Sequence, residues 1–255
     1  SDFDISLELT GKSEEYAEIL NLSEKIGEKK KIKIIICIDE FQNIVSFHKP
    51  HNFQKRLRSV WQRHKNTGYF LFGSKQHMMM DIFTNQSMPF YKFGEVIYLN
   101  KIKTKEFINF IINKFEMTDK TINAELAEKI VNLTENHPFY VQQLASITWN
   151  NTQKKTDEKI LTKSVNDLIT QNSLFFEREY EKLSQYQIRF LKALTDDIES
   201  GFTTKKFINN YDMSSSANII KARNSLIKNE IIHKYENKFE FLDPAFKLWL
   251  KMLFS

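Results

Sequence analysis

Ile34-Ile35-Ile36-Cys37-Ile38 runs directly into two adjacent carboxylates, Asp39 and Glu40. A β-rich apolar run of this length reads as a central strand of a parallel sheet covered on both faces. Ligand chemistry in such sheets sits just beyond the carboxyl ends of the strands, which is where this pair falls. The first carboxylate can hold a small, hard cation such as Mg²⁺ through its water shell, because that ion keeps several waters and needs few carboxylates. The second can orient a water or take its proton. A turn or a helix cap would use the same two residues with no chemistry, and that reading stays open here.

Asp39-Glu40-Phe41-Gln42 after an isoleucine-rich strand resembles the Walker B segment of the archaeal-type ATPases of the STAND and AAA+ group. The resemblance implies a P-loop NTPase core with ATP and Mg²⁺ as cofactors. Asp39 would then place Mg²⁺ through water, and Glu40 would activate the water that attacks the γ-phosphate. Tyr69-Phe70-Leu71-Phe72-Gly73-Ser74 is similar to the group's sensor 1 strand, which implies Ser74 beside the γ-phosphate. A Gly-Ser turn after a core strand is the other reading of those residues. Asn136-His137-Pro138-Phe139-Tyr140 is similar to a segment near the adenine, which implies cofactor contacts for His137 and Pro138. Pro138 is equally what a helix takes at its first position, with His137 a cap neighbour. The apolar face of that helix is expected to run Phe139, Val141, Leu144, Ala145 and Ile147.

The sequence also departs from the group's pattern. A P-loop needs Gly-x-x-x-x-Gly-Lys-Ser/Thr so that backbone amides and a lysine cradle the phosphates, and these 255 residues hold no such motif. Gly11-Lys12-Ser13 is a partial match, but position 6 is Ser and no apolar strand immediately precedes it. It also stands too close to Asp39 for a whole crossover between parallel strands. The resemblance aligns Leu7, Leu9 and a helix over about 13–26 with the segment just before the Walker B strand. With no initiating Met, the chain is expected to be a fragment or a degenerate homologue without its phosphate loop, and not to hydrolyse ATP by itself. Pro89-Phe90-Tyr91 is followed by Lys92-Phe93 where the resemblance calls for Gly-Arg, so the nucleotide-contacting arginine is missing.

Hydrophobic residues make up 41% of the chain, with 22 Phe and only six Gly and four Pro, which supports a packed core and leaves little room for low-complexity tracts. No secretory signal is evident, and no apolar run approaches the roughly 18 residues of a membrane span. A cytoplasmic chain without membrane contact is expected. Cys37 is expected to be a small core residue, and a single cysteine excludes an intrachain disulfide. Zinc is not supported, since there is no Cys pair and His48, His51 and His64 lack a matching ligand set.

The net charge of +5 is unevenly placed: residues 41–80 hold Lys49, Lys55, Arg56, Arg58, Arg63, Lys65 and Lys75 and no acidic residue. Phe53, Leu57, Val60 and Trp61 fall at helical spacing, so the segment is an amphipathic helix with its cations outward. Three readings of that face stay open: a solvated surface, an arginine reaching a neighbouring subunit's nucleotide, and a nucleic-acid contact.

Beyond Leu99 the spacing turns helical, with helices over 104–116, 123–135 and 138–150, Thr104 and Asn123 capping the first two. A polar stretch over 151–158 precedes a helix over 164–182 with Val165, Leu168, Ile169, Phe175 and Phe176 on its apolar side. From Ser184 the chain reads as a winged helix: a helix with Ile188, Phe190, Leu191 and Leu194, helices over about 204–211 and 214–229, then two short strands flanking a Glu236-Asn237 turn. Lys221, Arg223 and Lys228 would contact DNA if the third were a recognition helix. Residues 183–255 carry 11 Lys and Arg against 8 Asp and Glu, a modest +3 for a dedicated DNA reader.

The sequence therefore describes a helix-rich α/β chain. A partial ATPase core with a parallel sheet occupies 1–100, a helical lid 101–182 and a winged-helix domain 183–255. The resemblance implies an ATP-driven switch whose partner is nucleotide. A nucleotide-independent DNA-binding regulator and a scaffold for a protein partner or self-association are the other two readings.

Overall fold

The computed structural model of the chain describes residues 13–235 and 238–254. Leu7, Leu9, the Gly11-Lys12 pair and the Glu236-Asn237 turn lie outside the described residues. The chain is 60% helical, with a small parallel sheet and a winged helix. It divides into two compact units, Ser1–Leu99 and Asn100–Ser255.

In the first unit, α1 (Ser13–Leu20) and α2 (Leu22–Lys30) lead into β1 (Ile34–Ile38), a 3-10 turn over Phe41–Ser46, α3 (Pro50–Trp61), β2 (Thr67–Leu71) and α4 (Gln76–Thr84). The helix expected over about 13–26 is thus two helices. β1 and β2 pair in parallel from Ile34↔Thr67 to Ile38↔Leu71, and α3 is the crossover that parallel strands require. Pro50 at the first position starts α3 with its φ already helical. Leu57, Val60 and Trp61 go inward as their spacing predicts, joining Phe41, Ile44, Ile82 and Phe90 in the core.

The other face of the sheet corrects the expectation of burial on both sides. Ile35 and Phe70 are 63% and 58% exposed, and Cys37 is an exposed thiol. Side chains alternate along a strand, so Ile34, Ile36 and Ile38 take one face while Ile35 and Cys37 take the open one.

The second unit begins with α5 (Thr104–Glu116), α6 (Ala124–Leu133), α7 (Pro138–Asn151) and α8 (Glu158–Glu181). The winged helix follows as α9 (Gln185–Thr195), α10 (Lys205–Asn210), α11 (Ser216–Lys228), an antiparallel pair β3 (Ile232–Tyr235) and β4 (Lys238–Phe241), and α12 (Pro244–Phe254). One continuous apolar cluster runs from Phe107 in α5 to Leu250 in α12, so the first helices and the winged helix share a core.

Four details differ from the sequence reading. Asp157 caps α8 by accepting from the Ile160 amide, so the helix starts within the stretch read as a polar separator. Thr104 does not cap α5; its hydroxyl accepts instead from Asn136 Nδ2 at 3.0 Å. Phe139 and Phe175 are 60% and 59% exposed, because their neighbours Tyr140 and Phe176 take the inward positions and adjacent helical residues point about 100° apart.

Candidate functional site

Backbone hydrogen bonds carry the β1–β2 ladder past the strands: Phe72 N donates to Ile38 O and Phe41 N to Phe72 O, both at 3.0 Å. The two strand ends are thereby locked side by side, Asp39-Glu40 on one and Gly73-Ser74 on the other. Glu40 adopts a left-handed backbone, φ 50°, and caps the 3-10 turn that follows. That region is sterically costly for a residue with a Cβ. Here it turns the glutamate toward the neighbouring strand. Ser74 Oγ donates to both Glu40 carboxylate oxygens, at 3.1 and 3.2 Å, and Gln42 Nε2 donates to Glu40 Oε2.

Gln42 is fully buried and packs across Gly73. A Cβ on Gly73 would lie 1.8 Å from Gln42 Oε1, so only glycine leaves the amide room to reach Glu40. Gln42 Oε1 is itself buried without a hydrogen-bond partner. Phe41 anchors the turn from the other side, its ring 5.4 Å from Phe90 and 5.9 Å from Phe83. In the sequence Gln42 is legible only as part of a motif. Its one signal is position, two residues after Glu40 and opposite a glycine that closes the adjacent strand.

Asp39 is exposed, and its Oδ1 accepts from the Glu40 amide at 2.7 Å. Among the described residues no group of three or more His, Cys, Asp or Glu is arranged to hold a metal. A lone exposed carboxylate nonetheless fits Mg²⁺ held through water, since that ion takes its remaining ligands from water and phosphate oxygens. The phosphates of a nucleotide have no such cradle in this unit, since no Gly-rich loop stands among these residues.

The structure brings together Asp39, Glu40 and Ser74, while His137 and Pro138 belong to the second unit. There Glu135 and Asn136 take left-handed backbones and form a tight joint between α6 and α7. Asn136 Nδ2 donates to Ile102 O at 2.9 Å, tying the joint to the start of α5. Lys247 pairs with Glu135 at 2.7 Å, and Tyr140 donates to Asp243 Oδ2 at 2.6 Å. Burial, the Asp243 bond and the Asp243 charge together push the Tyr140 phenol far above its ordinary value. Both ties hold the His137-Pro138 corner to the α12 end of the winged helix. Pro138 is exposed, and His137 Nδ1 is buried without a partner.

On α11, Lys221 and Lys228 are exposed, seven residues apart and so on one face. Arg223 turns away, its guanidinium over the Phe239 ring of β4 at 5.4 Å.

The family described as "Probable winged helix domain" matches residues 174–252. Its start lies within α8, ahead of the boundary read from the sequence. Comparison with curated protein sequences returns no match. Among solved structures, the chain is similar to a Walker-type ATPase of Pyrococcus abyssi, with TM-score 0.68 and 15% identity over 98% of this chain and 72% of that one. It is also similar to the ORC2 protein of Aeropyrum pernix, determined in ADPNP–ADP complexes, with TM-score 0.58 and 14% identity over 93% of this chain and 68% of that one. At these identities the likeness speaks for fold alone: an α/β piece followed by helices and a winged helix. No helix among the described residues is long and apolar enough to cross a membrane.

Proposed function

We propose that the chain carries the water-activating side of an ATPase-type molecular switch. The observation behind this reading is the meeting of Asp39, Glu40 and Ser74 at the carboxyl ends of two adjacent parallel strands. The two ATPase-like folds to which the chain is similar support it. Bound Mg²⁺ would neutralise charge developing on the β- and γ-phosphate oxygens. Asp39 would hold the ion's water shell, and Glu40 would orient the attacking water and take its proton. Gln42 positions Glu40. The Ser74 hydroxyl is spent on Glu40, so Ser74 can turn to a γ-phosphate only by releasing that carboxylate. This exchange ties base activation to nucleotide arrival. In the second unit, the ties from Glu135 and Tyr140 to α12 give the His137-Pro138 corner a route to move the winged helix.

These 255 residues hold no phosphate-cradling motif, and by themselves they are expected to show no turnover. The test is Mg-ATP titration calorimetry on the protein in the form its cell makes. Binding that weakens at least roughly tenfold in Asp39→Ala supports the reading. No binding, or binding indifferent to Asp39, overturns it. DNA contact through α11 is a second reading, resting on the shared exposed face of Lys221 and Lys228.

A further inference from the structure

The acid-free segment over 41–80 folds so that its cations part company. Arg58 goes inward: its Nη1 donates to the Tyr91 carbonyl at 2.7 Å and to that of Pro89, and its guanidinium lies over the Phe93 ring. It therefore staples α3 to the loop over 89–93 and carries no free charge outward. Lys55, Arg56 and Arg63 stay exposed, with Lys49 at one end of α3 and Lys65 just past the other.

Asn52, Arg56 and Ser59 fall at i, i+4 and i+7, one stripe along α3, with Lys55 beside it and Arg63 in the turn just past the helix end. Arg56 rests on the Tyr16 ring at 5.5 Å, and Arg63 Nε donates to Ser59 O at 2.8 Å, so both side chains are held along the surface. The helical stripe from Asn52 to Ser59 is about 10 Å long at helical rise. A nucleic-acid strand presents a phosphate roughly every 3.4 Å of axis, so the stripe spans about three. Arg, Lys, Asn, Ser and Gln62 are the side-chain types that contact phosphate and sugar.

Other uses of this face fit less well. A solvated helix face mixes both signs of charge, whereas α3 itself carries no acidic residue and the carboxylate at the Lys65 end is held on backbone amides. Glu24 accepts the Lys65 and Asn66 amides, and Glu18 pairs with Lys25. A membrane-surface helix needs an apolar face to insert, but Leu57, Val60 and Trp61 are buried in the core.

From these observations we infer that the outer face of α3, with Lys55 and Arg56, together with Lys49, Arg63 and Lys65 in the segments flanking the helix, binds the phosphodiester backbone of a nucleic acid. The proposal uses no residue of α11 and is independent of the nucleotide reading.

The test is fluorescence anisotropy with labelled duplex DNA, single-stranded DNA and RNA of about 20 nucleotides across a salt series. These arms identify which nucleic acid supplies the backbone. In the Lys55→Gln/Arg56→Gln/Arg63→Gln variant, affinity should fall at least about tenfold, and the slope of log K against log salt should lose roughly 2–3. Arg56→Lys/Arg63→Lys keeps the charge and should bind within about threefold of the parent, which separates charge loss from misfolding. Unchanged affinity and slope in the triple variant would overturn the inference. So would a loss confined to Lys221→Gln/Lys228→Gln, or equal competition by polyglutamate.

Discussion

In the second unit, α6, α8, α9, α10 and α11 each begin on a side chain that caps the helix, from Asn123 to Ser215. In the first unit, α2, α3 and α4 begin without a capping side chain, and α3 begins on left-handed Lys49. The core clusters differ in the same direction: seven buried apolar residues against thirty among the described residues. The first unit also leaves one sheet face open. Yet the meeting of Asp39, Glu40 and Ser74 lies in this less consolidated unit. Sites that must change state are drawn from the low-stability end of a protein, and a left-handed glutamate between two donors is the kind of local strain that such an end carries.

The sharpest break between the units is chemical. Cys37 should react fully with a thiol reagent in native buffer, because its face of the sheet is open. Protection until denaturant is added would show a covered face and erase much of the contrast.

Next in size is the core. Phe190 is fully buried, with Phe202 at 5.0 Å, and Phe190→Ala should cost about 3–5 kcal/mol. Calorimetric melting should place that loss in the second unit's transition and leave Cys37 labelling unchanged. A smaller effect tests the caps. The Ser184 hydroxyl and the Gln187 side chain form a reciprocal capping box on α9. Ser184→Ala should cost about 1 kcal/mol by chemical denaturation.

The smallest effect is pH-dependent. Burial lowers the His64 imidazole below its ordinary 6.5, Glu24 opposing and Arg63 reinforcing. Its ring meets Tyr69 at 2.7 Å and Asn21 at 3.0 Å. A depressed folded value means that the unfolded chain binds more protons, so stability rises with pH. The His64 contribution is complete above about 6.5 and is lost as pH falls through the folded value. First-unit melting should therefore soften on acidification, and His64→Gln should flatten that slope. An unchanged slope would place the titration elsewhere.

The second unit was the more legible in sequence because its signals are local. Asn123 and Ser184 stand just before apolar helical spacing, and Pro138 opens α7. Phe139 and Phe175 misled because each neighbours an aromatic that takes the core position. In the first unit the strands were legible and their surroundings were not: five apolar residues in a row do not say how many layers cover them. Asp39, Glu40 and Ser74 were readable as strand ends. Gln42 was not, since its burial depends on how closely Gly73 approaches across the pair. The outward cations of α3 were legible, but the inward turn of Arg58 required the carbonyls of the loop over 89–93.

The most direct test of the account is ATP turnover by the protein in the form its cell makes, compared with Glu40→Gln. The predicted result is retained Mg-ATP binding with kcat lower by about 10²–10⁴, the usual scale of a lost general base. Turnover unchanged by Glu40→Gln would contradict the assignment of the strand-end carboxylate as the water-activating group.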